Sequence, residues 1–108
     1  MKNNVKVDLM SIYDARASFY GKAKIFKTTY KGVPGWALES YGEYVAFAFV
    51  DFGGWGIVYH IVDPNTGDEI NEKRPGWSQT TNRHIREFCK QVRGRDLTVT
   101  NYGYLYTV

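Results

Sequence analysis

The sequence predicts an α+β domain in which an antiparallel sheet of about five strands packs against one main C-terminal helix, over about residues 79–93. The length of 108 residues is typical of one domain, expected to span residues 1–108. Short segments suited to strands are separated by glycine-containing turns, the pattern of antiparallel hairpins. One later segment instead repeats its apolar residues at helical spacing. Together these observations predict the fold class.

The N-terminal part of the chain contains two predicted strands around one ambiguous segment. Apolar and charged residues alternate over residues 5–9, which predicts a short strand. Residues 11–21 fit both a helix and a strand, and Gly21 is expected to end either one. Residues 22–31 mix β-branched and aromatic residues with lysines, which is typical of an exposed strand.

Two further turns divide the middle of the chain into three predicted strands. A turn over residues 32–35 precedes a short strand over residues 36–40. Residues 43–52 are apolar at both odd and even positions, which predicts a central strand covered on both faces. Residues 53–54 are glycines and favour a hairpin turn, after which residues 55–62 return as the partner strand.

A turn over residues 63–67 and a polar loop over residues 68–77 precede the predicted helix. Ser78 or Thr80 is suited to cap its N-terminus, because either hydroxyl can accept a hydrogen bond from a free amide of the first turn. Gly94 is placed to end the helix. Residues 97–108 then alternate in polarity and predict a terminal strand. The apolar stripe of the helix consists of Ile85, Phe88, Cys89 and Val92.

Charge is sorted along the chain into three blocks. Residues 1–31 carry seven Lys or Arg and two acids, a net charge of +5. Residues 32–72 carry seven acids and no Lys or Arg. Residues 73–108 again carry seven Lys or Arg and two acids. Such segregation bears on which partners a protein attracts and how fast they associate.

The basic residues of the helix form the first candidate contact surface. Arg83, Arg86 and Lys90 share one side of the helix, and Arg93 and Arg95 extend their charge beyond its last turn. Two interpretations stay open. The residues either form a solvated helix face or bind phosphates or an acidic protein surface.

A row of tyrosines in the terminal strand forms the second candidate. Strand alternation would place Tyr102, Tyr104 and Tyr106 on one face. They either pack against a neighbouring element or stack nucleobases or anchor an interface. Trp77 follows a glycine and either covers the core or contacts a partner.

The acidic middle of the chain forms the third candidate. Asp63, Asp68, Glu69 and Glu72 fall within one turn-rich segment. Such a loop is either simply solvated or docks on a basic groove that normally holds nucleic acid. Pairing of the acidic and basic faces of two copies is a further alternative.

Catalytic patterns are weak in this sequence. His60 and His84 have no metal-ligand spacing, and we expect both to be structural. Cys89 lies on the apolar stripe, which is typical of an inert thiol. We therefore expect a protein that is not an enzyme and that uses no cofactor or metal.

The cytoplasm is the expected location. A single cysteine cannot form an internal disulfide, which fits a reducing compartment. Residues 1–8 lack the apolar core of a signal peptide. The longest apolar run, residues 44–50, is too short to span a bilayer, so no membrane association is expected.

Three stretches carry a resemblance to known proteins: residues 13–23, 39–46 and 78–88. In this order they resemble a family of small proteins of unknown function carried by phages and plasmids of Gram-positive bacteria, over roughly residues 12–92. Residues 51–67 are longer than is usual in that family. Small proteins of mobile elements include inhibitors of host defence, and the chain is similar to short type II-A anti-CRISPR proteins.

The resemblance and the charge pattern lead to two functional hypotheses. The first is a non-enzymatic inhibitor that binds a CRISPR effector nuclease of Cas9 type, or its guide RNA, and blocks guide loading or target binding. The second is a nucleic-acid-binding accessory protein that uses the basic helix face and the tyrosine row. A subunit of a phage assembly is a third alternative.

Overall fold

A computed structural model describes residues 6–16, 18–54 and 56–94 of the chain. Five strands form one antiparallel sheet in sequence order, and one helix packs on it. The predicted α+β class is therefore confirmed. The terminal strand predicted over residues 97–108 lies outside the described residues. The elements are β1 (Val7–Asp8), β2 (Ala23–Tyr30), β3 (Val33–Ser40), β4 (Glu43–Gly53), β5 (Gly56–Val62) and α1 (Gln79–Arg93).

Tight two-residue turns connect β2 to β3 and β3 to β4. Lys31 and Gly32 have φ values of 51° and 81°, and Tyr41 and Gly42 have values of 52° and 81°. Positive φ at both central residues matches the right-handed twist of the flanking strands. The first turn thus uses Lys31-Gly32, and β3 begins at Val33. The predicted turn over residues 32–35 was placed too late, because a lysine is an uncommon residue at positive φ.

The strand order in the sheet is β1-β2-β3-β4-β5, so β3 occupies the middle of the described sheet and β4 lies between β3 and β5. The predicted central strand, β4, is an inner strand next to the middle one, and both of its faces carry apolar residues, although a described element covers only the face beneath α1. Its pairing with β3 shifts register beside Glu39, which pairs with Tyr44, whereas Leu38 pairs with Ala46. This irregularity brings Tyr44 to the face that carries Phe47, where strict alternation would have placed it on the opposite face.

The helix agrees with its predicted bounds and caps. Ser78 is the N-cap, and its hydroxyl accepts a hydrogen bond from the N–H of Thr81 at 3.1 Å. Gly94 follows the last turn, and its N–H donates to the carbonyl of Lys90 at 2.8 Å. The predicted apolar stripe is buried against the sheet and consists of Ile85, Phe88, Cys89 and Val92.

The two faces of the sheet differ. The face beneath α1 holds the larger core, in which β2 contributes Ile25 and β3 contributes Leu38. The opposite face has a smaller cluster of Ala37, Phe47 and Val62. No described helix or strand packs over this second cluster. The sheet therefore presents one face to the helix and a second face that carries aromatic residues.

Candidate binding surfaces

Aromatic side chains are concentrated on the sheet face opposite the helix, which we call the aromatic face. Neighbouring ring centroids lie 5.5 Å apart for Tyr30 and Phe47, and 5.0 Å apart for Phe49 and His60. These separations allow direct ring contacts. Phe47 is fully buried, and the other rings are partly exposed. The aromatic face consists of Phe26, Tyr30, Tyr44, Phe47, Phe49 and His60.

Lysines border the aromatic face on its β1 and β2 side. The Nζ atoms of Lys6 and Lys31 each lie 5.3 Å from a ring centroid, over Phe26 and Tyr30 respectively. Lys6 also forms an ion pair with Glu39 at 2.9 Å. Cations placed this way extend a stacking surface with positive charge.

Carboxylates border the same face on its β5 side. The imidazole of His60 lies 3.7 Å from the carboxylate of Asp51 and 3.4 Å from that of Glu69. Both carboxylate side chains are more than two-thirds exposed, at 68% and 69%. The aromatic face is therefore polarised, with a basic border and an acidic border.

The hydroxyl of Tyr44 is buried and has no hydrogen-bond partner among the described residues. Burial, with a smaller contribution from the nearby Tyr30, raises the pKa of Tyr44 to about 12. The phenol therefore stays neutral at physiological pH, and its ring acts as an apolar surface.

The predicted basic face of the helix is engaged within the molecule mainly through Arg83. The guanidinium of Arg83 donates to the carboxylate of Asp14, with Nε 3.1 Å from Oδ2. This hydrogen bond is the main cause that holds the pKa of Asp14 down at about 2, and it raises the pKa of Arg83. Arg86 lies 3.8 Å from the carboxylate of Glu72. Lys90 is exposed.

Arg93 and Arg95 were predicted to extend the basic face of the helix. Arg93 donates to the backbone carbonyls of Asn71 at 2.6 Å and Ile70 at 3.1 Å, and so holds the preceding loop on the helix. Arg95 lies outside the described residues, as do the three tyrosines of the predicted row, Tyr102, Tyr104 and Tyr106.

The acidic candidates do not form one uniform surface. Asp63 is 5% exposed, accepts a hydrogen bond from the N–H of Asn65 at 2.8 Å and pairs with Arg74 at 3.3 Å. It therefore stabilises its own turn. The side chains of Asp68, Glu69 and Glu72 are 62%, 69% and 64% exposed. Trp77 is partly buried and packs against the core beneath the helix.

A buried serine and histidine lie in contact between the sheet and the helix. The Ser40 hydroxyl lies 2.7 Å from Nδ1 of His84 and donates to Thr81 Oγ1 at 3.1 Å. Such a pair resembles a nucleophile with its base. Both side chains are only 1% exposed, however, and the rings of Phe19 and Tyr41 lie against the imidazole. Burial lowers the pKa of His84, and we interpret this pair as structural.

Other reactive groups are also buried or separate. Burial raises the pKa of the Cys89 thiol to about 11, so the nucleophilic thiolate is scarce at neutral pH. Within residues 6–16, 18–54 and 56–94, no group of three or more His, Cys, Asp or Glu side chains is arranged to hold a metal ion. No helix in the same ranges is both long and apolar enough to cross a membrane.

A family model for proteins of unknown function matches residues 7–101 of the chain. The chain belongs to the DUF8033 family. The family description states no activity, so phage origin and nuclease inhibition stay predictions. No curated protein and no solved structure matches the chain. The matched residues include the stretch over roughly residues 12–92 that carries the resemblance and extend beyond it at both ends.

Sequence reasoning missed one polar cluster of this DUF8033 chain. The carboxylate of Glu87 is 1% exposed and accepts hydrogen bonds from the backbone N–H groups of Ile12 and Asp14, at 3.0 and 2.8 Å. Gln91 donates to the same carboxylate at 2.6 Å and to the carbonyl of Met10 at 2.6 Å. The one available signal was that Glu87 and Gln91 are four residues apart and flank the apolar stripe of the helix.

Proposed function

We propose that this protein works by binding and not by catalysis, and that its aromatic face binds single-stranded nucleic acid. The observation that carries the proposal is the group of partly exposed rings on the second sheet face, with Lys6 and Lys31 placed over two of them. Bases of any sequence stack on aromatic rings, and lysines attract the phosphates between them.

Nucleic-acid binding was the second hypothesis from the sequence, which placed the contact on the basic helix face and the tyrosine row. The aromatic face takes the place of those surfaces here. Arg83 is engaged by Asp14, and Arg86 lies near Glu72, so part of the helix charge is neutralised inside the molecule. Lys6 is likewise paired with Glu39, but Lys31 lies over the Tyr30 ring, and the partly exposed rings supply a stacking area that the helix face lacks. The tyrosine row predicted near the C-terminus stays a prediction.

Fluorescence anisotropy with a short labelled oligouridylate tests the proposal over a range of salt concentrations. We expect binding that weakens steeply as salt rises, because phosphate neutralisation releases counterions. Phe26→Ala and Phe49→Ala are each expected to cost about 1–3 kcal/mol of binding free energy. Thr29→Ala, an exposed change on β2, serves as the matched control.

Two outcomes would count against the aromatic face. If the parent protein fails to bind the oligonucleotide at low salt, the proposal is wrong. If Arg86→Glu and Lys90→Glu abolish binding while Phe26→Ala and Phe49→Ala leave it unchanged, the helix is the contact surface. Circular dichroism of each variant establishes that it is folded before its affinity is compared.

A second candidate is the inhibitor of a Cas9-type nuclease, acting in the cytoplasm of a host cell by blocking guide loading or target binding. The observation that favours it is a set of exposed carboxylates on β4 and in the segment that follows β5. Asp51 and Glu69 flank His60, and Asp68 and Glu72 follow nearby in the chain. Guided nucleases hold their heteroduplex in a positively charged channel, which an acidic surface would complement.

A pull-down of the nuclease, with and without guide RNA, tests this candidate. We expect capture of the guide-free nuclease and loss of capture after the double change Asp51→Asn and Glu69→Gln. Glu43→Gln, at the exposed start of β4, is the matched control. The absence of capture in both states, together with no protection of phage in a plaque assay, would reject it.

A further inference from the structure

Two turns with the same backbone geometry lie side by side at one end of the sheet, and we call them the twin turns. Tyr20 and Gly21 have φ values of 54° and 74°, and Tyr41 and Gly42 have values of 52° and 81°. The N–H of Tyr41 donates to the carbonyl of Lys22 at 2.8 Å, which joins the two turns. Each turn therefore holds a tyrosine in the left-handed region at the same end of the sheet.

Tyrosine is a poor choice for this backbone conformation. Positive φ suits glycine and asparagine, whereas bulky side chains are uncommon there. Burial does not offset this preference, because Tyr20 is 78% exposed and Tyr41 is 53% exposed. Tyr41 gains a stacking contact with His84, whereas the Tyr20 side chain is mostly exposed, and an exposed residue that breaks a local preference is a candidate for function.

A cleft of about 310 Å³ adjoins the twin turns, and lysines line part of it. Lys24 pairs with Asp8 at 2.6 Å, and Glu39 pairs with Lys6 at 2.9 Å. Lys22, by contrast, forms no ion pair with any residue in the described ranges. The cleft is lined by Gly21, Lys22, Lys24, Glu39, Tyr41 and Gly42.

The lining of the cleft comes from both sides of the sheet, because Lys24 lies on the side of the aromatic face and Tyr41 contacts His84 on the side of the helix. Lys24 and Phe26 occupy alternate positions of β2, so their side chains lie on the same side of the sheet. One side of the Tyr41 ring stacks on His84, with centroids 5.6 Å apart, which holds the ring while its other side stays exposed. A held ring with one free face loses little conformational entropy when a base stacks on it.

We propose that the twin turns form a nucleotide subsite at the end of the sheet, beside the aromatic face, where Tyr20 and Tyr41 stack a base of the single strand and Lys22 binds its phosphate. This inference rests on the proposed nucleic-acid binding. It adds an anchoring point for one nucleotide beyond the sheet itself. Positive charge at Lys22 complements a phosphate, and the two exposed phenols supply the stacking area.

Asparagine substitutions separate binding from folding, because asparagine suits positive φ but cannot stack a base. We expect Tyr20→Asn and Tyr41→Asn each to weaken oligouridylate binding about tenfold, the effect of losing one stacked base. We expect Tyr20→Phe and Tyr41→Phe to keep the affinity, because the ring is retained. Thermal unfolding is measured for all four variants, and Tyr20→Asn is expected to be at least as stable as the parent.

The outcomes distinguish this inference from the proposed function. If Phe26→Ala weakens binding and neither asparagine variant does, the subsite is wrong and the aromatic face stands. If the asparagine variants weaken binding and the phenylalanine variants bind as tightly as the parent, the subsite is supported. That conclusion holds even where Phe26→Ala has no effect. If the parent binds no oligonucleotide at low salt, both proposals are wrong. Lys22→Gln is expected to reduce the dependence of affinity on salt, and an unchanged dependence contradicts the phosphate contact.

Discussion

The buried carboxylate of Glu87 accepts two hydrogen bonds from the backbone N–H of Tyr13, at 2.9 and 3.1 Å, across 74 positions of the sequence. Ile12 and Asp14 donate to the same carboxylate. Glu87 therefore holds the N-terminal loop on the helix together with Arg83 and Gln91. This contact explains why residues 11–16 form neither the helix nor the strand that their sequence allowed, since three consecutive amides point to one acceptor.

Glu87→Gln is expected to lower the free energy of unfolding by about 1–3 kcal/mol, because the amide removes the negative charge and turns a donor toward buried N–H groups. Urea denaturation measures the change. Glu72→Gln is the control, since its side chain is 64% exposed and the change should lie within about 0.5 kcal/mol. Equal effects of the two substitutions would contradict the anchoring role of Glu87.

The pair formed by Asp14 and Arg83 predicts a pH dependence at the acid end. Asp14 has a folded-state pKa of about 2, below its ordinary value of 3.8. As the pH falls, Asp14 therefore binds a proton in the unfolded chain before it does so in the folded protein. The contribution of the ion pair to stability is present above pH 3.8 and is lost as the pH falls through about 2.

Comparison with Asp14→Asn isolates this group, because the other carboxylates titrate in both proteins. We expect the stability advantage of the parent over Asp14→Asn to shrink as the pH is lowered across that window. Urea denaturation at several pH values measures the difference. A difference that stays constant between neutral pH and pH 2 would show that the ion pair does not stabilise the fold.

Removal of the Ser40 hydroxyl is expected to destabilise the protein. Ser40→Ala leaves Nδ1 of the buried His84 without its partner, at a cost of about 1–3 kcal/mol. Thr80→Ala is the matched control, because Thr80 is exposed in the first turn and Ser78 is the actual N-cap. Thermal unfolding measures both variants. The structural interpretation fails if Ser40→Ala is as stable as the parent.

A methyl group at Gly35 has no room. A Cβ atom built there would collide with the backbone carbonyl of Ala48 and lie 2.7 Å from Cζ of Phe47. Gly35→Ala is therefore expected to lower the free energy of unfolding by about 1–3 kcal/mol, as overpacking of a core does. Gly54→Ala is the control, since its Cβ would meet no atom within 4 Å. Chemical denaturation measures the free energy of unfolding of both variants. An unchanged free energy of unfolding for Gly35→Ala would show that β3 and β4 can move apart.

Local chemistry made the helix predictable. The spacing of Ile85, Phe88 and Val92, the Ser78 hydroxyl and Gly94 all act within a few residues, and the observed bounds agree with the prediction. The strands were predicted less closely. Lys31 at positive φ and the register shift beside Glu39 depend on how neighbouring strands twist and pair.

The candidate surfaces were less predictable than the fold. The sequence showed where charge is concentrated. It did not show that Arg83 pairs with Asp14, which lies 69 positions away in the sequence. The aromatic face and the twin turns likewise join residues from separate strands, so no local pattern marks them.

The sequence alone determined the fold class, the helix and most of the strands, because apolar periodicity and turn chemistry operate over short distances. Only the tertiary structure decided which charges are neutralised, which tyrosines stay exposed and how the N-terminal loop is held. Those outcomes depend on contacts between residues far apart in sequence, whose geometry exists only after the sheet and the helix have packed.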